Sequence, residues 1–93
     1  LIVGTVEVDL NLPGVSSLKE KRRRVKSLLA RVQNRFGVSI AEVDYNDSWR
    51  RAQLGAAVVS NEKKHAEQVI ARLMQMIEAE PEMVLVDYRV EIL

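Results

Sequence analysis

From Leu1 to Leu12 apolar and polar residues alternate: Ile2, Val6, Val8, Leu10 and Leu12 share one side, and Thr5, Glu7, Asp9 and Asn11 share the other. A period of two marks a strand with one face on a core. Pro13-Gly14 ends it as a turn. The period then changes. Leu18, Val25, Leu28, Leu29, Val32 and Phe36 recur at helical spacing up to Gly37, a natural residue for the left-handed position that closes a helix. Ser17 stands three residues before Glu20, the pattern of a capping box.

Val38–Tyr45 and Arg51–Ser60 are rich in branched apolar residues and flank the polar stretch Asn46–Arg50, which predicts an antiparallel hairpin. Val38 and Ile40 fall on one side of its first strand, Val43 and Tyr45 on the other, so a bulge near Ala41–Glu42 is expected. In the second strand Ala52, Leu54, Ala56 and Val58 are expected to face the core. Asn61 is placed to cap a second helix with the stripe Ala66, Val69, Ile70, Leu73 and Ile77. Beyond Pro81, Val84, Val86, Tyr88, Val90 and Ile92 alternate with Asp87, Arg89 and Glu91 as a last strand. The order βαββαβ predicts one α+β, ferredoxin-like domain over residues 1–93, a four-stranded antiparallel sheet with both helices on one face.

Composition changes this picture little: 47% hydrophobic and 29% charged residues fit an ordinary folded domain. Cysteine is absent, so disulfides and thiolate chemistry are excluded. The first strand is broken by Glu7, Asp9 and Asn11 and no apolar run reaches the ~18 residues that span a bilayer. The opening residues also lack the charged and apolar segments of a signal peptide, so a cytoplasmic setting with no membrane contact is expected.

Charge changes it more. The net value is only +1, but residues 18–51 carry ten Lys or Arg against four acids, while residues 62–93 carry four against seven. A division of that kind gives opposed faces, and the basic one is a candidate dock for an anion. Its densest part is the run from Lys19 to Lys26, six cations in eight residues. Lys19, Arg22, Arg23 and Lys26 project on one flank of the apolar stripe, Arg24, Arg31 and Arg35 on the other. Arginine suits phosphate through its planar fork. The plainer reading is a solvated helix whose long side chains cover the edge of the core. Most of these cations lie in the first turns, where they oppose the helix dipole.

Lys21 falls inside the apolar stripe, between Leu18 and Val25. Either it snorkels to water from the first turn or it is held over the sheet edge to meet a ligand or a carboxylate. The hairpin tip carries the only tryptophan, Trp49, followed by Arg50 and Arg51. Such a residue stacks on a base or anchors a partner, or it folds back as a lid over the sheet end. RNA binding across the sheet in the manner of an RRM needs aromatics on the central strands, and these positions hold Val3, Thr5, Glu7, Gln53, Gly55, Ala57 and Val59. Val3, Ala57 and Val59 instead form an apolar area suited to pairing sheets or subunits, so a homodimer is expected.

Catalytic signals are weak. His65 is the only histidine and reads as a surface residue without a partner for a metal. Glu42, Asp44 and Asp47 lack the spacing of a calcium loop and read as solubilising charges on an edge strand. No glycine loop cradles a phosphate and no nucleophile sits in a triad setting, so neither enzyme activity, cofactor nor metal is expected.

The segments Ile2-Val3-Gly4, Ser17-Leu18-Lys19-Glu20-Lys21-Arg22, Asn34-Arg35-Phe36, Ala41-Glu42-Val43-Asp44, Leu54-Gly55 and Val58-Val59-Ser60, with Trp49, resemble the YlxP-like family of small uncharacterised bacterial proteins. The resemblance covers nearly the whole chain, and the Ser-Leu-Lys-Glu-Lys-Arg run is its most specific part. It implies a ferredoxin-like fold and a cytosolic setting. Members of that family are often encoded beside translation-initiation and ribosome-maturation factors, which adds to an RNA-linked expectation but supplies no catalytic residue. The expectation is therefore a non-catalytic module that binds RNA or a ribosomal surface through Lys19, Lys21, Arg22, Arg23, Lys26, Trp49 and Arg50. Its alternative is a homodimeric interaction or structural module with no nucleic-acid role, paired through its open sheet face or an edge strand.

Overall fold

The computed structural model describes all residues from Leu1 to Leu93. The elements are β1 (Ile2–Asn11), α1 (Leu18–Phe36), β2 (Ser39–Asp44), β3 (Arg51–Ser60), α2 (Lys63–Glu78) and β4 (Val84–Ile92). The strands form one antiparallel sheet in the order β2-β3-β1-β4, the ferredoxin-like α+β arrangement. Gly4, Val6, Val8 and Leu10 of β1 face the helices together with Ala52, Leu54 and Ala56 of β3. Val25, Leu28 and Val32 of α1 and Ile70, Leu73, Met74 and Ile77 of α2 close the core above them. The stripe of α2 is thus wider than its spacing announces, since Met74 is buried as well.

Local chemistry sets the helix ends. The Ser17 hydroxyl accepts from the Glu20 N–H at 3.1 Å. The Glu20 carboxylate does not complete the box on Ser17; it accepts instead from the N–H and the hydroxyl of Ser16, both at 3.3 Å. At the other end Gly37 adopts φ 62° and donates to the Gln33 carbonyl at 2.9 Å. In α2 the cap moves from the expected Asn61 to Glu62, which makes no side-chain cap bond. Ser60 explains the shift: its hydroxyl accepts from the Glu62 N–H at 3.0 Å and pulls the chain into the helix one residue later.

β2 carries the bulge expected near Ala41–Glu42, and β4 carries a second one that its alternation does not announce. The one in β2 falls at Val43, where the register passes from Glu42–Leu54 to Asp44–Gln53. It leaves Val43 on the open face of the sheet against Gly55, not in the core. It also holds Glu42 opposite a core residue. The second bulge, in β4 at Val86, turns Leu85 toward the core opposite Leu10 and sends Val84 to the open face opposite Asn11. The alternation from Val84 to Ile92 therefore spans two faces, divided by one extra residue.

The space around a Cβ at Gly37 is empty, so only the left-handed backbone resists a side chain there. Gly37→Ala is expected to lower stability by about 1–2 kcal/mol, read as a shift of the urea midpoint with an unchanged slope.

Candidate nucleic-acid interface

Lys21 is the one buried charged residue of the chain, with no exposed surface. Its ammonium bonds to the Glu42 carboxylate and donates to the Tyr45 carbonyl at 2.8 Å. An isolated buried ammonium would be severely destabilising; a carboxylate and a carbonyl together satisfy it. Each partner is aimed by the local fold. The β2 register turns Glu42 toward the helices, and the left-handed φ of 61° at Tyr45 turns the chain at the point where its carbonyl is needed. Lys21 is therefore unavailable to RNA, and the expectation that it joins a phosphate-binding set is corrected. Glu42 is corrected with it: this carboxylate closes an internal pair and does not serve as a solubilising edge charge.

The rotation fixed by Lys21 sorts the other cations of α1. On one flank Arg24 meets Glu20 at 2.7 Å and has its Nη1 2.7 Å from Glu82, an ionic contact without hydrogen-bond alignment. Arg31 makes a two-pronged bond to Glu80 at 2.7 and 2.8 Å, which raises its pKa above the usual guanidinium value. These arginines line a cleft of about 450 Å³ together with the acids that neutralise them, and Arg23 borders it from the outer side without an acid within 4.0 Å. The other flank differs. Lys19, Arg22, Arg23 and Lys26 border a shallow concavity of about 570 Å³ that Ser17 and Glu20 complete. Among these four, Arg22 alone has an acidic contact, Asp47 at 3.4 Å, and both side chains are exposed. Exposed pairs of that length contribute little.

The Arg22–Asp47 contact brings the hairpin tip beside the basic flank. Trp49 on that tip keeps 52% of its surface exposed, so it does not close over the sheet as a lid. Arg50 is exposed but tethered: its Nε donates to the Val15 carbonyl at 3.2 Å, and its own carbonyl accepts from the Leu12 N–H. Arg51 lies over the Tyr45 ring at 4.0 Å. The Arg22–Asp47 contact and the Arg50–Val15 bond thus set the hairpin loop that carries Trp49 at the N-terminal end of α1, where Lys19, Arg22, Arg23 and Lys26 stand. Val3, Ala57 and Val59 lie elsewhere, on the open sheet face, with Leu93 beside Val3. His65 is exposed, its Nδ1 3.1 Å from the Ser60 hydroxyl.

The Glu20 carboxyl is held below its usual range, first by the Ser16 N–H, with Arg24, the Ser16 hydroxyl and Arg23 adding to it against partial desolvation. The folded state binds this proton more weakly than the unfolded chain. The stabilisation is present above the unfolded value near 4.5 and is lost as pH falls from there through the lowered folded value. Glu20→Gln is expected to flatten the acid decline of stability below pH 4.5 and to melt earlier than wild type above it, as thermal scans at several pH values would record.

The element order and sheet define a small ferredoxin-like α+β domain. Residues 3–90 match the model of the family described as "Protein of unknown function (DUF503)", and the chain belongs to that family. It is also 40% identical over 81 residues to the Bacillus subtilis (strain 168) "Uncharacterized protein YlxP", covering 87% of this chain and 88% of that protein. No helix is long and apolar enough to cross a membrane.

Breaking the buried pair from one side is the sharpest test of the local account. Lys21→Met leaves the largely enclosed Glu42, whose side chain is 12% exposed, without its cation and is expected to cost about 3 kcal/mol. The double variant Lys21→Met/Glu42→Leu removes both charges and is expected to recover most of that loss in a urea melt.

Proposed function

We propose that the protein is a non-catalytic module that docks on RNA, ribosomal RNA included, through the unneutralised flank of α1 and the neighbouring hairpin tip, in a cytoplasmic setting. One observation carries this reading. On the same helix Arg24 and Arg31 are tied to acids of the chain, while Lys19, Arg23 and Lys26 have no acidic side chain within 4.0 Å and stand exposed with Arg22 around one concavity. Arg35 also lacks an acidic partner, but it lies over the Phe36 ring at 5.4 Å, away from that concavity. A phosphate backbone supplies the missing negative charge. Trp49 adds a half-exposed aromatic surface beside it, on which a base stacks.

A second reading, a homodimeric interaction module with no nucleic-acid role, draws on the open face. Val3 pairs with Val59 and lies near Ala57, and Val59 is largely exposed. The basic flank is left without a role in that reading.

Salt dependence separates the two. With four phosphate contacts on single-stranded RNA, log K is expected to fall against log salt with a slope of roughly −3, near −0.7 per contact. Arg22→Gln/Arg23→Gln keeps helix propensity and should flatten that slope by about 1.4. Arg31→Gln/Arg35→Gln should leave it nearly unchanged. Trp49→Ala is expected to weaken binding while moving stability by less than about 1 kcal/mol, because much of the ring already faces water. Equal losses from both arginine pairs would mean diffuse attraction to a basic surface; no binding at low salt would favour the interaction-module reading.

A further inference from the structure

The two edges of the sheet are unlike. β2 is six residues long, bulged at Val43, and committed through Glu42 to the helix layer. Short, bulged and charged edges are the usual protections against a further strand. β4 is nine residues long and regular from Asp87 to Ile92. On its helix side it presents Tyr88, 58% exposed, and Val90, 41% exposed, where an edge in contact with water would carry charge.

The backbone of this edge has a defined polarity. Val3 and Leu93 exchange both of their hydrogen bonds. By antiparallel alternation, Glu91, Arg89 and Asp87 also bond inward to β1, while the N–H and C=O of Tyr88, Val90 and Ile92 point away from it. Those outward groups are the ones that a second strand would take up.

We propose that β4 pairs antiparallel with β4 of a second copy, with the two-fold axis at Val90. This inference does not depend on the RNA reading; of the open face and an edge strand it selects the β4 edge and gives it a register. The sequence of the strand selects the register. With the axis at Val90, Arg89 stands opposite the partner's Glu91 and Glu91 opposite the partner's Arg89. These are non-hydrogen-bonded positions, where opposed side chains come closest. On the helix side Tyr88 meets the partner's Ile92, and the two Val90 residues meet each other. Moving the axis to Arg89 sets Arg89 against itself and Asp87 against Glu91, and moving it to Glu91 sets that acid against itself. Moving it to Tyr88 drives Val90 into the bulge at Val86. Only the Val90 register combines unbroken backbone pairing with opposite charges facing each other. The resulting sheet has eight strands, and the exposed Tyr88 and Val90 gain cover that the monomer lacks.

Sedimentation of the full chain through the micromolar range tests the proposal. The wild type is expected to approach twice the 10.5 kDa chain mass as concentration rises. Val90→Pro removes an N–H that β1 does not use, so it should keep the folded melt and stay monomeric. Arg89 bonds Glu7 of its own chain at 3.0 Å, so the single charge change is made at Glu91. Glu91→Arg should weaken association about tenfold or more, by setting like charges opposite each other twice. Adding Arg89→Glu to it should restore association, because the pairing across the axis is then reversed but complete. Val59→Lys, on the open face, should leave the dimer intact. A chain monomeric at every concentration would overturn the proposal. So would a dimer that survives Val90→Pro, is lost with Val59→Lys, or is not restored by the charge exchange.

Discussion

A lysine ammonium enclosed in the core can be held in very few ways, and most of the basic end of this protein follows from how Lys21 is held. Lys21 occupies a position of α1 that the apolar spacing reserves for a core residue. Its charge is tolerated because Glu42 and the Tyr45 carbonyl reach it together. That requirement fixes the rotation of α1, the register of β2 up to the bulge at Val43, and the left-handed turn at Tyr45. A buried ion pair is weak evidence for stability, since an apolar pair of the same volume often does as well. Its effect here is specificity of arrangement: the helix cannot roll without stranding a charge. The consequence reaches the surface, because the same rotation assigns Arg24 and Arg31 to the acids of the α2–β4 connection and leaves Lys19, Arg22, Arg23 and Lys26 facing water.

The element order and most of the core were legible from periodicity alone, because Val6, Val8 and Leu10 or Val25, Leu28 and Val32 report a local pattern that the fold does not override. Gly37 was legible for the same reason: its left-handed conformation is a property of one residue. The misplaced features depend on partners distant in sequence. Lys21 and Glu42 stand 21 residues apart, and each is an exception to its own pattern, a cation in an apolar stripe and an acid on a strand. Two exceptions of opposite sign on faces that must pack together were the available signal. The bulge in β2 showed in the sequence as broken alternation, to within a residue, whereas the one at Val86 did not, since alternation with one extra residue there looks unbroken until a neighbouring strand sets the register. The sorting of the basic flank could not be read at all without Glu80 and Glu82, which reach α1 only through the tertiary fold.

The two surfaces that remain unsatisfied lie far apart on the sheet. α1 packs against β2 at one edge, while α2 packs against β1, β3 and β4 toward the other. A partner strand on β4 would leave the basic flank and Trp49 uncovered, so self-pairing and RNA docking are compatible, and a two-fold pair would carry two such flanks.

The most direct test of the central claim is ultraviolet crosslinking of the protein to RNA in cells, followed by mapping of the crosslinked peptides and sequencing of the RNA. The account predicts recurrent RNA sequences joined to peptides covering Lys19–Lys26 and the Trp49 tip. Crosslinks confined to the Arg31 side or to the open sheet face, or no RNA recovered above background, would contradict it.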